Sequence, residues 1–334
     1  MKKSLIALAV VAASGATFAQ STVTLYGLLD ANINSTKSSG VTNTRIDSGG
    51  INSSRFGLKG SEDLGGGLKA NFKLESGINI DTGATRATQN GTGATVTALF
   101  NRESYVGLSG GFGEVRLGKM WTPYDDLQGL GAAAFNANIF APATNVWQSN
   151  KYISNPGNSI YYATPDFGGF SAALMYGLNE NKTATTSAGN VTSVRVGYEG
   201  GPVAVGLAYQ TEKASGASPT TKYTQLNASY DLGVAKLLAA YGNVKDGTFP
   251  KTNEYQIGVD FPVSSALTVS AGFATSKSNG APADTKSNGF ALAAKYALSK
   301  RTDFYAGLQN AKTTGGGKAE DKTNVYALGV QHRF

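Results

Sequence analysis

The stretch NVYALGVQHRF, residues 324–334, shows the pattern that decides the fold. Every second residue belongs to a largely apolar set: Tyr326, Leu328, Val330, His332 and Phe334. The residues between them form a less apolar set: Val325, Ala327, Gly329, Gln331 and Arg333. Successive side chains of a β-strand point to opposite faces of a sheet, so this period of two predicts a strand with one apolar face.

The same alternation recurs upstream. In LKANFKLE, residues 68–75, the apolar side chains share one face, and the other face carries Lys69, Asn71, Lys73 and Glu75. Sixteen such segments are predicted: 22–33, 51–62, 66–80, 96–109, 112–121, 158–165, 169–178, 190–199, 202–212, 221–231, 234–244, 252–261, 266–276, 287–297, 302–312 and 322–334.

The connections between these segments alternate in length. Short Gly-, Pro- and Asp-containing turns such as PDFGG (165–169) and EGGP (199–202) alternate with longer polar links. The longer links are 34–50, 81–95, 179–189, 213–220, 277–286 and 313–321, besides the much longer 122–157. Short turns at one end and long loops at the other are typical of bacterial outer-membrane barrels.

The sequence therefore predicts an all-β protein, a 16-stranded antiparallel transmembrane β-barrel. A soluble sheet with one solvated face would explain any single segment equally well, but it explains sixteen of them less easily. Because a sheet edge cannot stay open in lipid, we expect segment 322–334 to pair with segment 22–33. Barrel closure then places Tyr326, Leu328, Val330 and Phe334 against lipid.

The N-terminus predicts export. Residues 1–19 contain two lysines, an apolar run too short to span a membrane, and small residues at the spacing that a signal peptidase accepts. The barrel domain is therefore expected to occupy residues 20–334. Loss of the leader removes Lys2 and Lys3, which lowers the formal net charge from +7 to +5 over 315 residues.

Composition argues against several classes of function. The chain has no cysteine, and its one histidine is His332, so a Ser/His/Asp triad and His-rich metal sites are not expected. The adjacent acids Asp125 and Asp126 do not by themselves specify a calcium site. Basic residues form no block, so nucleic acid is not an expected partner. No enzyme activity, cofactor or metal is predicted.

Five stretches resemble the general porins of the neisserial, β-proteobacterial type. They are SRFGLKGSEDLGGGLKANFKLE (54–75), NRESYVGLSGGFGEVRLGK (101–119), NSIYYATPDFGGFSAALMYG (158–177), YALSKRTDFYAGL (296–308) and GVQHRF (329–334). They follow the family's order and span nearly all of the chain after residue 20. The resemblance implies a homotrimer whose water-filled pores are each narrowed by the third long loop. The terminal Phe334 also resembles the signal that the barrel insertion machinery recognises.

The third long loop corresponds to residues 122–157. Its charged residues are Asp125, Asp126 and Lys151, and most of the others are small or apolar. A long link without a strand pattern is usually functional in a compact fold. Because a loop so poor in charge is unsuited to bulk water, we expect it to fold into the lumen.

The resemblance implies a row of basic residues on the wall of the pore. Arg55 and Arg102 match the family's wall arginines, and the parity of Arg55 agrees with a lumen position. Arg102 shares parity with apolar residues, so either a bulge intervenes or this face meets a subunit interface or the lumen. Arg116 is expected to face the lumen, and Lys59 adds a further basic side chain. Relatives often carry another arginine before NSIYY, where this chain offers only Lys151.

We therefore expect an outer-membrane porin of a Gram-negative bacterium, with passive diffusion of small hydrophilic solutes and ions and a modest anion preference. Outer-membrane lipid and lipopolysaccharide are the expected surroundings. Two alternatives remain open at this point: a plugged barrel that acts as an adhesin or receptor, and a substrate-specific channel.

Overall fold

The computed structural model describes residues 22–89, 95–178, 182–216, 219–246, 251–279 and 284–334. The predicted leader, residues 1–19, lies outside these ranges. The barrel strands are β1 Thr22–Ser38, β2 in two segments Val41–Ser48 and Arg55–Gly65, β3 Leu68–Gly77, β4 Glu103–Gly110, β5 Gly113–Lys119, β6 Ser159–Ala163, β7 Phe170–Leu178, β8 Asn190–Gly200, β9 Val203–Lys213, β10 Thr220–Asp231, β11 Lys236–Lys245, β12 Thr252–Pro262, β13 Leu267–Ser278, β14 Thr285–Ala297, β15 Thr302–Gly315 and β16 Lys318–Arg333.

The sixteen strands form one closed antiparallel barrel, as predicted. Each strand pairs with the next along the chain, and β1 closes the ring by pairing with β16. In that pairing Leu28 lies opposite Arg333 and Ser38 lies opposite Thr323. Gly27 and Phe334 extend the pairing by two backbone hydrogen bonds of 3.0 and 3.1 Å.

Two of the links predicted from composition are wrong. Most of 34–50 is strand, because Val41–Ser48 pairs with the end of β1, and β15 and β16 continue across most of 313–321 to a tight turn after Gly315. In both hairpins the backbone N–H and C=O groups find partners in the ladder, although the side chains are polar. In the opposite direction, segment 96–109 joins the barrel only from Glu103, and the short strand Thr95–Val96 pairs with Thr88–Gln89 in a separate two-stranded sheet.

The two faces of the sheet differ as expected for a membrane barrel. On β12, for example, Glu254 and Gln256 are buried, whereas Tyr255 and Ile257 are 55% and 65% exposed. Tyr326, Leu328, Val330 and Phe334 lie on the exposed face. Apolar side chains thus cover one face, and polar or small side chains cover the buried face. No helix within the described ranges is long and apolar enough to cross a membrane.

Loop 122–157 contains one short helix, α1 Pro123–Asp126, and the 3₁₀ turns Ala134–Asn136 and Gln148–Lys151. It packs on the buried face of the sheet, where strand side chains bind its backbone polar groups. The contacts are Ser193 Oγ to the Tyr124 N–H, Asn227 Nδ2 to the Leu127 carbonyl, Gln256 Nε2 to the Gly131 carbonyl, Ser270 Oγ to the Ala134 N–H and Gln309 Nε2 to the Ala141 carbonyl, at 2.7–3.0 Å.

Two glycines on this face make room for the loop. A Cβ on Gly258 or Gly272 would lie 2.4 or 2.2 Å from Cβ of Ala133. Two carbon atoms that are not bonded to each other do not come this close. The loop therefore contacts the backbone of β12 and β13 directly, and a larger residue would displace it.

Glu254 anchors the later part of the loop. Its carboxylate accepts hydrogen bonds from the Gln148 N–H, from the N–H and hydroxyl of Ser149, and from the Ser276 hydroxyl. Hydrogen bonds to a charged group contribute about 1.5–3 kcal/mol each, so this one side chain fixes the 3₁₀ turn to the wall.

We expect Glu254→Gln to loosen this turn, because an amide cannot accept from all four donors. Hydrogen-exchange mass spectrometry should show amide exchange around residues 143–152 accelerated by about tenfold or more, the equivalent of one lost charged hydrogen bond. Glu199→Gln, which changes an exposed glutamate on β8, is the matched control. Equal exchange in the two variants would contradict this anchoring role.

Candidate functional site

Arg55 is positioned by a bend between the two segments of β2, residues 49–54. The Asp30 carboxylate holds this bend by accepting hydrogen bonds from the N–H groups of Gly50, Ile51 and Asn52 at 2.8–3.0 Å. It also accepts from Tyr305 Oη and Gln331 Nε2, at 2.5 and 2.9 Å. Because these two side chains come from β15 and β16, the bend before Arg55 is fixed to the strands at the closing seam.

Glu75 on β3 is surrounded by cationic side chains. Only 3% of its surface is exposed. Its carboxylate accepts from Arg102 Nε at 2.5 Å and from Tyr26 Oη at 2.8 Å. Lys73 Nζ lies 3.5 Å away and Arg55 Nε 3.8 Å away. A buried carboxylate needs such partners, so Glu75 draws both predicted wall arginines to one point.

Arg102 reaches this point because it precedes the regular strand. β4 begins at Glu103, and the Arg102 N–H donates to the Glu75 carbonyl at 3.2 Å. The Arg102 side chain passes close to Gly77, where an added Cβ would lie 3.2 Å from Cδ of Arg102. The Arg102 guanidinium lies over the Trp121 ring, with Cζ 4.8 Å from the ring centre. The strand parity that made its orientation ambiguous therefore does not apply to Arg102.

A second carboxylate, Glu103, lies directly opposite Glu75 in the pairing of β3 and β4. Like charges at facing positions repel. Lys73 offsets this repulsion, because its ammonium group contacts both carboxylates.

Arg116 lies apart from this group. Its guanidinium is sandwiched between the rings of Tyr105 and Tyr161, 5.0 Å from each centroid, and bonds Glu114 at 2.5 Å. Its charge is thus compensated on its own strand.

Lys59 also lies elsewhere. Its Nζ is 5.2 Å from the centre of the Tyr26 ring, and it lines a cavity of ≈ 550 Å³ together with Lys73, Tyr105 and Glu114. The structure therefore separates Lys59 and Arg116 from the cavity that Arg55 and Arg102 line.

On the loop, Asp125 belongs to α1. Its N–H donates to the Thr122 hydroxyl at 3.2 Å, and its carboxylate accepts from Tyr152 Oη at 2.5 Å. Burial raises the pKa of the Asp125 carboxyl to about 7. The Asp126 charge acts in the same direction, whereas the Tyr152 hydrogen bond and the Arg102 charge oppose it.

The other two charged loop residues point elsewhere. Asp126 accepts from Tyr161 Oη at 3.0 Å and lies 3.7 Å from Arg195 Nε on β8. Burial raises the pKa of Asp126 as well. Lys151 is exposed at the end of a 3₁₀ turn and forms no salt bridge within the described residues.

One cavity of ≈ 660 Å³ lies between the wall arginines and the loop. Its lining includes Arg55, Arg86 and Arg102 together with the loop residues Asp125 and Tyr152. The structure thus brings three of the residues singled out from the sequence to one place. Their part in selecting solutes stays a prediction.

Sequence reasoning missed four charged residues at this site. Lys73 and Glu75 lie on the same face of the sheet as Arg55, one strand away. The period of two that predicts the orientation of Arg55 could therefore also have assigned them to the site. Glu103 follows Arg102 in a recognised motif. Arg86 lies in the irregular connection after β3 and carries no sequence signal, because no strand period assigns its direction.

Within the described ranges, no group of three or more Asp, Glu or His side chains is arranged to hold a metal ion. Apart from Asp30 and Lys151, the charged groups described above are paired with one another or line a cavity.

Comparisons with known proteins agree with this architecture. A family model described as "Gram-negative porin" matches residues 5–316. The Outer membrane porin protein 32 of Delftia acidovorans is 39% identical over 99% of this chain and 95% of that protein. An outer membrane porin protein of Bordetella pertussis is 30% identical over the full length of both chains.

A solved structure titled "Anion-selective porin from Comamonas acidovorans" is also similar. It has a TM-score of 0.73 and 29% sequence identity, and the match covers 94% of this chain and all of that one. With the family model spanning almost the whole barrel, the chain belongs to the Gram-negative porin family, which places this channel protein in the outer membrane.

Proposed function

We propose that the channel allows passive diffusion of small hydrophilic solutes and ions with a modest preference for anions. The observation that carries this proposal is the ≈ 660 Å³ cavity, whose lining includes three arginines and one aspartate. A pore selects by its width and by the charge at its narrowest point. An excess of fixed positive charge there raises the local concentration of anions.

In this proposal loop 122–157 narrows the lumen. Its hydrogen bonds to Ser193, Asn227, Gln256, Ser270 and Gln309 support a fixed position against the wall. Passing solutes then move between the arginine side and Asp125. Lys59 lies in the same pore outside this cavity and adds to its positive potential, whereas Glu114 offsets the charge of Arg116.

The remaining partners are also proposals. The resemblance to porins supports a homotrimer, and the apolar exposed face suits outer-membrane lipid and lipopolysaccharide. The closing strand with Tyr326, Leu328, Val330 and the terminal Phe334 is the part that the insertion machinery would recognise.

The first test is single-channel conductance of the detergent-purified protein in a planar bilayer, followed by the reversal potential in a KCl gradient. We expect the conductance to rise in groups of three steps. We also expect a reversal potential whose sign indicates a preference for anions. Well-folded barrels that conduct no current would instead support the plugged adhesin or receptor. Saturable block by one solute would indicate a substrate-specific channel.

Removal of both wall arginines should abolish the anion preference. In the double variant Arg55→Ala, Arg102→Ala, the Glu75 carboxylate keeps only Lys73 as a cationic partner, so the pore gains net negative potential. Each unit charge within about 10 Å of the ion path changes the local ion concentration about twofold in a water-like dielectric. We expect the reversal potential to change sign and to indicate a preference for cations.

Arg301→Ala, which changes an exposed arginine in the turn between β14 and β15, is the control and should leave the reversal potential unchanged. The same reversal potential in the wild type and the double variant would remove Arg55 and Arg102 from the selective site.

Selectivity should also depend on pH through Asp125. With its pKa raised to about 7, this carboxyl is charged at pH 8 and mostly neutral at pH 6. Acidification therefore removes a negative charge from the cavity, so anion preference should rise by about twofold between pH 8 and pH 6. The variant Asp125→Asn should show the low-pH selectivity at both values. A pH profile that is identical in wild type and variant would exclude Asp125 as its origin.

A further inference from the structure

Arg86 is held at the site by its backbone. The connection after β3 folds back on itself, with Ile78 bridged to Thr85. The Arg86 N–H donates to the Gly77 carbonyl at 2.8 Å, and Asn101 Nδ2 donates to the Arg86 carbonyl at 2.5 Å. Asn101 is itself buried and also binds the backbone of Gly77. These contacts involve no atom of the Arg86 side chain.

The Arg86 guanidinium extends to neutral partners. It donates to the Ser53 hydroxyl, a group that also accepts from Asn138 Nδ2 of the loop at 3.3 Å. The Ser53 carbonyl accepts from Arg55 Nη1 at 3.1 Å, so Ser53 bonds two arginines. Among the residues that the structure describes, no carboxylate lies within 4.0 Å of Arg86.

A second positive charge, that of Arg102, lies near Arg86. Burial and the neighbouring Arg102 charge both lower its pKa. A guanidinium nevertheless stays protonated over the whole working range, because its ordinary pKa lies far above neutrality.

The charges of the ion-pair network at Glu75 and of Asp125 cancel. Arg55, Arg102 and Lys73 supply three positive charges, and Glu75 and Glu103 supply two negative ones within the same ion-pair network. Asp125, which lines the same cavity, adds the third negative charge. Arg116 and Asp126 do not alter this balance, because Glu114 and Arg195 compensate them. Among these seven side chains Arg86 is therefore the excess charge. Lys59 and Lys119 form no salt bridge among the described residues either, but they are not part of the lining of this cavity.

We propose that Arg86, contributed by the loop after β3, is the specificity-determining residue that gives the cavity its net positive charge. This inference rests on the proposed function and deepens it. The two arginines that follow from sequence motifs neutralise the wall carboxylates, and Arg86 supplies the charge that passing anions meet. It also provides the further basic side chain that Lys151, which is not part of this cavity lining, does not.

The test compares reversal potentials at pH 8 in a KCl gradient, where Asp125 is charged. Arg86→Gln should lower the chloride-to-potassium permeability ratio by about two- to fourfold, the range for one unit charge within about 10 Å of the ion path. Arg86→Lys should keep most of the preference. Arg45→Gln, at an exposed arginine paired with Asp47 at 2.6 Å, is the matched control and should not change the ratio.

A charge-restoring variant separates electrostatics from structure. Arg86→Gln combined with Asp125→Asn returns the excess of one positive charge, so its permeability ratio should approach that of the wild type. A ratio unaffected by Arg86→Gln, or a loss that Asp125→Asn fails to restore, would overturn the inference while leaving the anion-preferring channel intact. A wild-type channel without anion preference would overturn the proposed function and this inference together.

Discussion

The pairing of β1 with β16 is the constraint on which the rest of this structure depends. In a bilayer every backbone N–H and C=O group needs a protein partner, so a sheet that spans it must close. The closing seam also fixes the site, because Asp30 on β1 binds Tyr305 and Gln331 from the two strands beyond the seam. The same carboxylate holds the bend that places Arg55.

Closure produces a buried face that must be occupied in a specific way. Where loop 122–157 packs, this face carries small residues such as Gly258 and Gly272, beside amide and hydroxyl side chains. The small residues let the loop approach the strand backbone. The polar side chains satisfy loop N–H and C=O groups that would otherwise be buried without partners. Shape and hydrogen bonding therefore select the same position for the loop.

The charges of the site depend on one buried carboxylate. Glu75 attracts Arg55, Arg102 and Lys73 toward the wall, and without them its own burial would be unfavourable. These cationic groups are thus held against the wall by their contacts with Glu75. Their number alone does not report the potential of the pore, because the adjacent carboxylates offset them. We infer that Arg86, which lies outside the strands, adds one positive charge that this network does not offset.

The amino-acid sequence by itself determined the sixteen strands and the orientation of their faces, because side-chain alternation is a local property with a period of two. For the same reason, the sequence predicts which face of its strand carries the Arg55 side chain. Local pattern failed at 34–50 and 313–321, where polar residues resemble loops but continue the ladder. It also failed at Arg102, which lies just outside the regular strand. Only the tertiary structure decided that Arg86, Arg102 and Asp125 line one cavity, because their positions depend on backbone bends and on contacts between distant segments that carry no periodic signal.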